Sequence, residues 1–214
     1  MFRDREDAGR RLAKALEKYH DKRALVLGIP RGGAEVAFYV ACGLNADFSI
    51  LVARKLPYPD EPEAGFGALA EDGSLSISED VRFMLSDDEI RKIVQQQKEE
   101  IRRRVRVLRK GKPLPELEGR TVILVDDGLA MGSTMKAAIA LCRKRKAGKI
   151  VVAVPVAGDR VAREIGDLAD QTIVLEKPVP FYAVAQAYVH WYDVPDSEVL
   201  DLLDRWENER SGPA

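Results

Sequence analysis

Apolar and polar positions alternate in blocks along the chain, and the apolar blocks are short. Five of them lie at residues 24–29, 48–53, 121–125, 150–156 and 171–175, and they are mostly apolar without alternation of apolar and polar positions. Runs of this kind, of which 121–125 is β-branched and aliphatic throughout, predict strands that are buried on both faces of a parallel sheet. Segments with helical spacing of apolar residues occupy 4–19, 34–42 and 159–166, and the second of them is predicted to stop at Gly43. Strands separated by helices predict parallel βαβ units with right-handed crossovers.

One segment of more than sixty residues, between the second and third predicted strands, is too long for an ordinary crossover. Residues 66–78 predict a hairpin around Asp72-Gly73, which would add an antiparallel strand beside the second strand. Ser86, followed three residues later by Glu89, predicts the capping box of a helix that ends at Gly111. Residues 56–117 are therefore predicted as a lid and helical insert, the lid being 57–78, within a single domain spanning 1–214.

The third strand is followed by the most informative motif of the chain. Asp126 and Asp127 come directly after it, and a small-residue loop, 128–134, then leads into a helix. Such a loop offers unpaired backbone N–H groups and the positive end of a helix dipole, which suits a phosphate. Two carboxylates beside it can accept hydrogen bonds from sugar hydroxyls, or bind Mg²⁺ directly or through water. The alternative is an ordinary turn with acids capping the helix, and the loop lacks the lysine of a P-loop NTPase.

The first strand ends in a second loop of similar character, Pro30-Arg31-Gly32-Gly33, directly before a helix. The fold class predicted is α/β, with three α/β/α layers and a mainly parallel five-stranded sheet in the order 2-1-3-4-5, plus an antiparallel edge strand. In that order the first and third strands are neighbours where the strand order reverses, which is where open α/β sheets bind ligands. Both loops would then open into one crevice, suited to a molecule with phosphates at both ends and a diol between them.

Composition and charge narrow the class of protein. The formal net charge is −1, so no overall field favours nucleic acid or an anionic membrane. No apolar stretch approaches membrane-spanning length, and the chain is charged from Arg3 onward. Cys42 and Cys142 stand alone in predicted helices, where we expect reduced core thiols. A cytoplasmic protein without a membrane partner is the expectation.

The order of strand, Asp126-Asp127, small-residue loop and Ser133-Thr134 resembles the phosphoribosyl pyrophosphate (PRPP) signature of the type I phosphoribosyltransferases. This resemblance implies that Asp126 and Asp127 hold the ribose hydroxyls and contact Mg²⁺ indirectly, through the ligand or water. It assigns the 5-phosphate to one loop, made of Gly128, Leu129, Ala130, Met131, Gly132, Ser133 and Thr134. It assigns the pyrophosphate to Pro30, Arg31, Gly32 and Gly33, with a cis peptide between Pro30 and Arg31, and to Arg54 and Lys55, although a solvated charge pair is the ordinary interpretation of the last two.

The resemblance also implies an activity, which is Mg²⁺-dependent transfer of the phosphoribosyl group from PRPP to a nitrogenous base, with release of pyrophosphate and a homodimeric assembly. A purine-like base is favoured. A C-terminal hood over residues 177–210 would present Phe181 and Tyr182 to the base, although its aromatic residues can equally be hood core. Met131 stands where the family commonly has Ser or Thr, and Ala130 where the 6-oxopurine enzymes carry an aspartate. The layout is most similar to a group of bacterial and archaeal members whose acceptor is not identified.

Two other classes of function remain open on the sequence. A protein of this fold can be a PRPP- or nucleotide-sensing regulator that binds nucleic acid, and the basic run at 102–110 would support that class. We favour a solvated helix end for this run, because Glu99 and Glu100 adjoin it. The third class is a nucleotide-binding protein without transfer activity, for which the missing hydroxyl at Met131 is the argument.

Overall fold

The computed structural model describes residues 1–62 and 64–211, and it contains two sheets with helices around them. The strands are β1 (Leu25–Gly28), β2 (Asp47–Ile50), β3 (Ala53–Pro57), β4 (Gly65–Ala70), β5 (Leu75–Ile77), β6 (Thr121–Val125), β7 (Lys149–Val156) and β8 (Gln171–Glu176). The α-helices are α1 (Arg5–Ala15), α2 (Gly32–Leu44), α3 (Asp87–Leu108), α4 (Ser133–Lys144), α5 (Asp159–Gly166) and α6 (Asp196–Ser211).

The larger sheet has the predicted topology. Its order is β2-β1-β6-β7-β8 and every pairing in it is parallel, so the predicted order 2-1-3-4-5 is confirmed. Alternate residues of the strands pack on opposite faces. Val26 and Ile123 join the cluster beneath α1, α2, α3 and α6, whereas Leu27 and Leu124 join the one beneath α4 and α5. The predicted three-layer α/β fold is confirmed. The expectation of doubly buried strands is wrong for β8, which lies at the edge of the sheet and is only half-buried along its whole length.

The antiparallel strands form a sheet of their own, which corrects the predicted edge strand. The hairpin at Asp72-Gly73 is present as β4 and β5, but its partner is β3, in the order β3-β4-β5. The predicted second strand, 48–53, is broken after β2, because the backbone N–H of Val52 donates to the Glu71 carboxylate at 3.0 Å and Glu71 N–H donates back to Val52 O. β4 is buried at five of its six residues, so this part of the predicted lid is packed in the core.

Two expectations about α2 are wrong, namely its end at Gly43 and the burial of Cys42. Helix α2 continues through Gly43 and ends at Leu44, with Asn45 in the left-handed region at φ 47°. A Cβ atom on Gly43 would lie 2.6 Å from the Cβ of Ala13, so this glycine permits α1 and α2 to approach closely. Cys42 is exposed on the outer side of α2 instead of lying in the core, whereas Cys142 is buried as expected.

The long insert helix begins as predicted, with both hydrogen bonds of the Ser86–Glu89 capping box, and ends before Gly111. Four of the six basic residues in the run 102–110 pair with acids, namely Arg103 and Arg104 with Glu100, Arg109 with Glu71 and Lys110 with Asp204. These pairs agree with the interpretation of a charged helix end. Across residues 1–62 and 64–211, no helix combines the length and the apolar character needed to cross a membrane.

Candidate functional site

The carboxyl ends of β1 and β6 bring the two predicted loops into direct contact. Gly28 and Val125 are partners in the sheet, and the N–H of Ile29 donates to Val125 O at 2.9 Å. A Cβ atom on Gly33 would lie 2.7 Å from Asp126 Oδ1, and one on Gly32 would lie only 1.9 Å from Asp127 Oδ2. The loop after β1 therefore rests against both carboxylates, and only glycine leaves room for this contact.

The loop after β1 has the backbone that the resemblance implied. The peptide bond between Pro30 and Arg31 is cis, and α2 begins immediately afterwards at Gly32. The Arg31 side chain is partly exposed and lies 3.8 Å from Asp196 Oδ1 at the start of α6. This loop therefore leads straight into a helix N-terminus, where backbone N–H groups without helical partners can bind an anion.

The two adjacent acids influence each other's protonation. The N–H of Asp127 donates to Asp126 Oδ1 at 2.9 Å, which fixes the pair side by side. Burial and the neighbouring Asp127 carboxylate raise the pKa of Asp126 well above its ordinary value. Burial also raises the pKa of Asp127, although the Arg5 guanidinium opposes that shift. A pair of this kind is stabilised by hydroxyl donors or by a cation in its open face.

Arg5 is a site residue that the sequence analysis missed. It is only 2% exposed, and its Nε donates to Asp127 Oδ2 at 3.0 Å. Its Nη1 donates to the backbone oxygen of Tyr192 at 3.0 Å, and its guanidinium lies 4.2 Å from the ring centre of Trp191. The available signal was helical spacing, since Arg5 stands three residues before Ala8 on the apolar face of α1.

Glu35 on α2 is a second buried charge that the sequence analysis did not single out. It accepts a hydrogen bond from the Tyr192 hydroxyl at 3.0 Å and lies 3.8 Å from Arg5 Nη1. Burial raises the pKa of Glu35 to about 7, against the opposing effects of Tyr192 and Arg5. The acid pair, Arg5 and Glu35 thus form one chain of polar contacts that joins β6, α1 and α2.

The loop after β6 reaches a helix N-terminus as predicted. The N–H of Leu129 donates to Val156 O at 2.9 Å, which ties the loop to the end of β7. Gly132 has φ 72°, and α4 starts at the next residue. Met131 is 54% exposed, so its side chain is not packed in the core. The first N–H groups of α4 have no helical acceptor and are suited to a phosphate.

Arg54 and Lys55 lie on opposite faces of β3, because successive side chains of a strand alternate. Arg54 Nε donates to Gln97 on α3 at 2.7 Å, and the guanidinium lies 3.7 Å from Glu100 on the same helix. Lys55 lies on the other face of β3, together with Ala53. The structure therefore engages Arg54 with α3 and directs Lys55 away from that helix.

The aromatic residues after β8 divide into exposed and buried groups. Tyr182 is 83% exposed, and Phe181 lies beside Gly158, where a Cβ atom would be 3.2 Å from its ring. Tyr188 is buried instead, and its hydroxyl donates to the backbone oxygen of Asp127 at 2.6 Å. Burial raises the pKa of Tyr188, which keeps its hydroxyl a donor. Tyr188 and Trp191 thus support the acid pair. Of the two candidates for contact with a base, Tyr182 is exposed, whereas Phe181 packs half-buried against the cluster of Phe2, Val156 and Tyr188.

The acid pair offers few oxygen ligands to a hard cation. Among residues 1–62 and 64–211, no three or more His, Cys, Asp or Glu side chains gather as a metal cage would require. Asp126 and Asp127 are the carboxylates available, and one oxygen of Asp127 already accepts from Arg5. This donor set fits Mg²⁺ held mainly by water and substrate oxygens, which is how Mg²⁺ commonly binds.

Comparison with known proteins agrees with this geometry. A family model described as "Phosphoribosyl transferase domain" matches residues 3–188. A protein of Mycobacterium tuberculosis (strain CDC 1551 / Oshkosh), provisionally named a phosphoribosyl transferase, is 41% identical over 207 residues, which cover 96% of this chain and 47% of that protein. Its counterpart in strain H37Rv gives the same values. The chain thus spans about half the length of the curated relatives it matches.

A solved structure supports the same relationship over nearly the whole length of both chains. The crystal structure of TT1426 from Thermus thermophilus superposes with a TM-score of 0.81 at 34% sequence identity. The match covers 96% of this chain and 98% of that one. With the family model matching most of the chain, and relatives above 30% identity over nearly all of it, this chain belongs to the phosphoribosyltransferase family.

Proposed function

We propose that this domain transfers the 5-phosphoribosyl group of PRPP to a nitrogenous base and releases pyrophosphate. The observation that carries the proposal is the contact between the loop at 30–33 and the carboxylates of Asp126 and Asp127, which leaves no space for a Cβ atom at Gly32 or Gly33. Three groups meet at the carboxyl ends of β1 and β6: the loop at 30–33, the acid pair of Asp126 and Asp127, and the N-terminus of α4 at Ser133. That sequence of groups matches pyrophosphate, ribose diol and 5-phosphate in one molecule.

The proposed reaction needs positioning more than it needs a covalent residue. The bond between ribose C1 and the pyrophosphate oxygen breaks, a bond from C1 to a ring nitrogen of the base forms, and the nitrogen's proton passes to water. Asp126 and Asp127 accept hydrogen bonds from the 2- and 3-hydroxyls and favour the positive charge that develops on the sugar. The backbone of 128–134 holds the 5-phosphate, and the loop at 30–33 with Lys55 holds the pyrophosphate. Exclusion of water protects PRPP from hydrolysis.

Mg²⁺ is the cofactor we propose, and Asp126 and Asp127 would hold it through water or through substrate oxygens. When bound, it supplies neutralisation of the pyrophosphate charge. The absence of a third acidic or histidine ligand nearby, among the described residues, supports a metal that arrives with PRPP instead of a permanent protein site.

A flat, purine-like base is the acceptor we propose. Tyr182 is exposed and Phe181 lies by Gly158, near the end of β7, where an aromatic ring could stack on a base. Ala130 is exposed in the loop after β6 and has no carboxylate to offer the base. The acceptor is therefore proposed to differ from the hypoxanthine and guanine of the standard 6-oxopurine enzymes.

Release of pyrophosphate from PRPP, measured over a panel of purine and pyrimidine bases with and without Mg²⁺, tests this proposal. We expect base-dependent release for at least one purine-like base, and loss of it in Asp126→Asn combined with Asp127→Asn. PRPP binding without release for any base would point to the nucleotide-sensing class. Nucleic-acid binding with a steep salt dependence would then favour the regulator.

A further inference from the structure

We propose that Arg5 and Tyr188, neither of which belongs to the motif around Asp126, are positioning residues that hold Asp127 in its ribose-binding place. Arg5 acts on the carboxylate and Tyr188 on the backbone of the same residue. This inference rests on the proposed function, since it assigns the affinity for the ribose partly to residues outside the motif.

The side chain of Arg5 is committed to Asp127 by its surroundings. A buried guanidinium is tolerated only when its donors are paired, and here Nε donates to Asp127 Oδ2 at 3.0 Å while Nη1 donates to Tyr192 O at 3.0 Å. The ring of Trp191, 4.2 Å away, covers the plane of the guanidinium. Because the Arg5 Nε holds one oxygen, the Asp127 carboxylate cannot rotate without breaking a charge-assisted hydrogen bond.

Tyr188 fixes the other half of Asp127. Its hydroxyl donates to the backbone oxygen of Asp127 at 2.6 Å, and its ring packs between those of Phe2 and Trp191 at centroid distances of 5.6 and 5.3 Å. Phe2 and Tyr188 also form an isolated parallel β-bridge. The N-terminal residues and the segment after β8 therefore close around Asp127 together.

The ion pair between Arg5 and Asp127 also supports the loop at 30–33. A Cβ atom on Gly32 would lie 1.9 Å from Asp127 Oδ2 and 2.9 Å from Arg5 Nε, so that loop rests on the ion pair itself. Arg5 is thus placed to hold Asp127 and the loop at 30–33 in a fixed arrangement. A positioning residue of this kind should lose its effect when Asp127 can no longer bind the sugar.

A double-mutant cycle tests this dependence directly, with PRPP affinity in Mg²⁺ measured by calorimetry on the full chain. The variants are Arg5→Gln, Arg5→Lys and Tyr188→Phe, each alone and combined with Asp127→Asn. The matched control is Arg10→Gln on the same helix, because Arg10 is exposed and contacts the Glu6 carboxylate and the ring of Tyr39, outside the acid pair. Thermal melting establishes the temperature at which each variant is folded.

We expect Arg5→Gln to weaken PRPP binding at least tenfold, Arg5→Lys to weaken it less, and Tyr188→Phe to weaken it several-fold. Combined with Asp127→Asn, each should weaken the residual binding by less than twofold, because coupled residues are not additive. Arg10→Gln should match the wild type. Full additivity with Asp127→Asn, or wild-type affinity in folded Arg5→Gln, would overturn the inference. If Arg5→Gln does not fold, the Arg5→Lys and Tyr188→Phe cycles decide by the same criterion. A wild-type protein that binds no PRPP would instead overturn the proposed function and this inference with it.

Discussion

At the scale of single residues, the candidate site depends on two glycines in close contact with carboxylates and on two buried charged side chains. Gly32 and Gly33 are required by the carboxylates pressed against them, not by an unusual φ angle. Arg5 and Glu35 are charges that burial would disfavour if each were alone. Because they contact each other, substitutions at either residue should destabilise the site more than substitutions of exposed charges would.

Gly32→Ala tests the contact between the loop and the acid pair. Because the new Cβ atom would stand 1.9 Å from Asp127 Oδ2, either the loop or the carboxylate must move. We expect PRPP affinity to fall at least tenfold by calorimetry. Gly166→Ala is the matched control, since nothing lies within 4 Å of a Cβ atom there. Equal PRPP affinity in Gly32→Ala and the wild type would show that this contact does not shape the site.

Glu35→Gln tests the buried acid through the pH dependence of stability. The folded-state pKa of Glu35 is about 7 and the ordinary value is 4.5, so the folded protein binds its proton more tightly. Ionisation of Glu35 therefore lowers the free energy of unfolding as pH rises from about 4.5 through 7, by on the order of 3 kcal/mol. Urea unfolding at several pH values should show the variant gaining on the wild type by that order between pH 4.5 and 8. Parallel pH curves for the two proteins would contradict a raised pKa.

At the scale of elements, the parallel sheet could be predicted and the junctions between elements could not. The apolar runs at β6 and β7 are unambiguous because doubly buried strands need continuous hydrophobic sequence. The break between β2 and β3 depends on a hydrogen bond from Val52 to Glu71, a contact between distant parts of the chain. The sequence predicted Gly43 as the end of a helix, whereas the structure shows that a glycine there permits α1 and α2 to pack closely.

The candidate site divides in the same way. The order Asp126-Asp127-loop-helix is a local pattern, so the sequence could predict it. Arg5 and Tyr188 come from the two ends of the chain and meet only through the fold. The engagement of Arg54 with α3, on the face of β3 opposite to Lys55, likewise depends on contacts between distant parts of the chain.

The loop between β6 and α4 offers two neighbouring positions with opposite expectations. Gly132→Val should abolish PRPP binding, because φ 72° resists a branched side chain and its Cβ atom would lie 2.8 Å from Val161 Cγ1. Met131→Thr should preserve or improve affinity, since Met131 is exposed and threonine adds a hydroxyl donor. Calorimetric titration of both folded variants with PRPP gives the comparison. Normal binding by Gly132→Val would mean that the phosphate is held elsewhere.

At the scale of the whole molecule, the site lies where strand order reverses between β1 and β6, and both chain ends reinforce it. Residues from α1 and from the segment after β8 contact Asp127, although they belong to opposite ends of the sequence. The packing of these two segments therefore fixes the position of Asp127. A ligand that binds there should stabilise the whole domain by mass action.

The assembly implied by the family resemblance is a homodimer. We expect a particle of twice the chain mass of 23.8 kDa in light scattering at micromolar concentration. A monomer at all concentrations tested would contradict this expectation.

The most direct measurement of the central claim is a calorimetric titration of PRPP and Mg²⁺ into the wild type and into Asp126→Asn combined with Asp127→Asn. The exchange keeps side-chain size and removes both carboxylates, and hydrogen bonds to charged groups contribute roughly 1.5–3 kcal/mol each. We predict saturable binding to the wild type and a loss of tenfold or more per residue in a variant that still melts cooperatively. Unchanged PRPP affinity in the folded double variant would contradict the account.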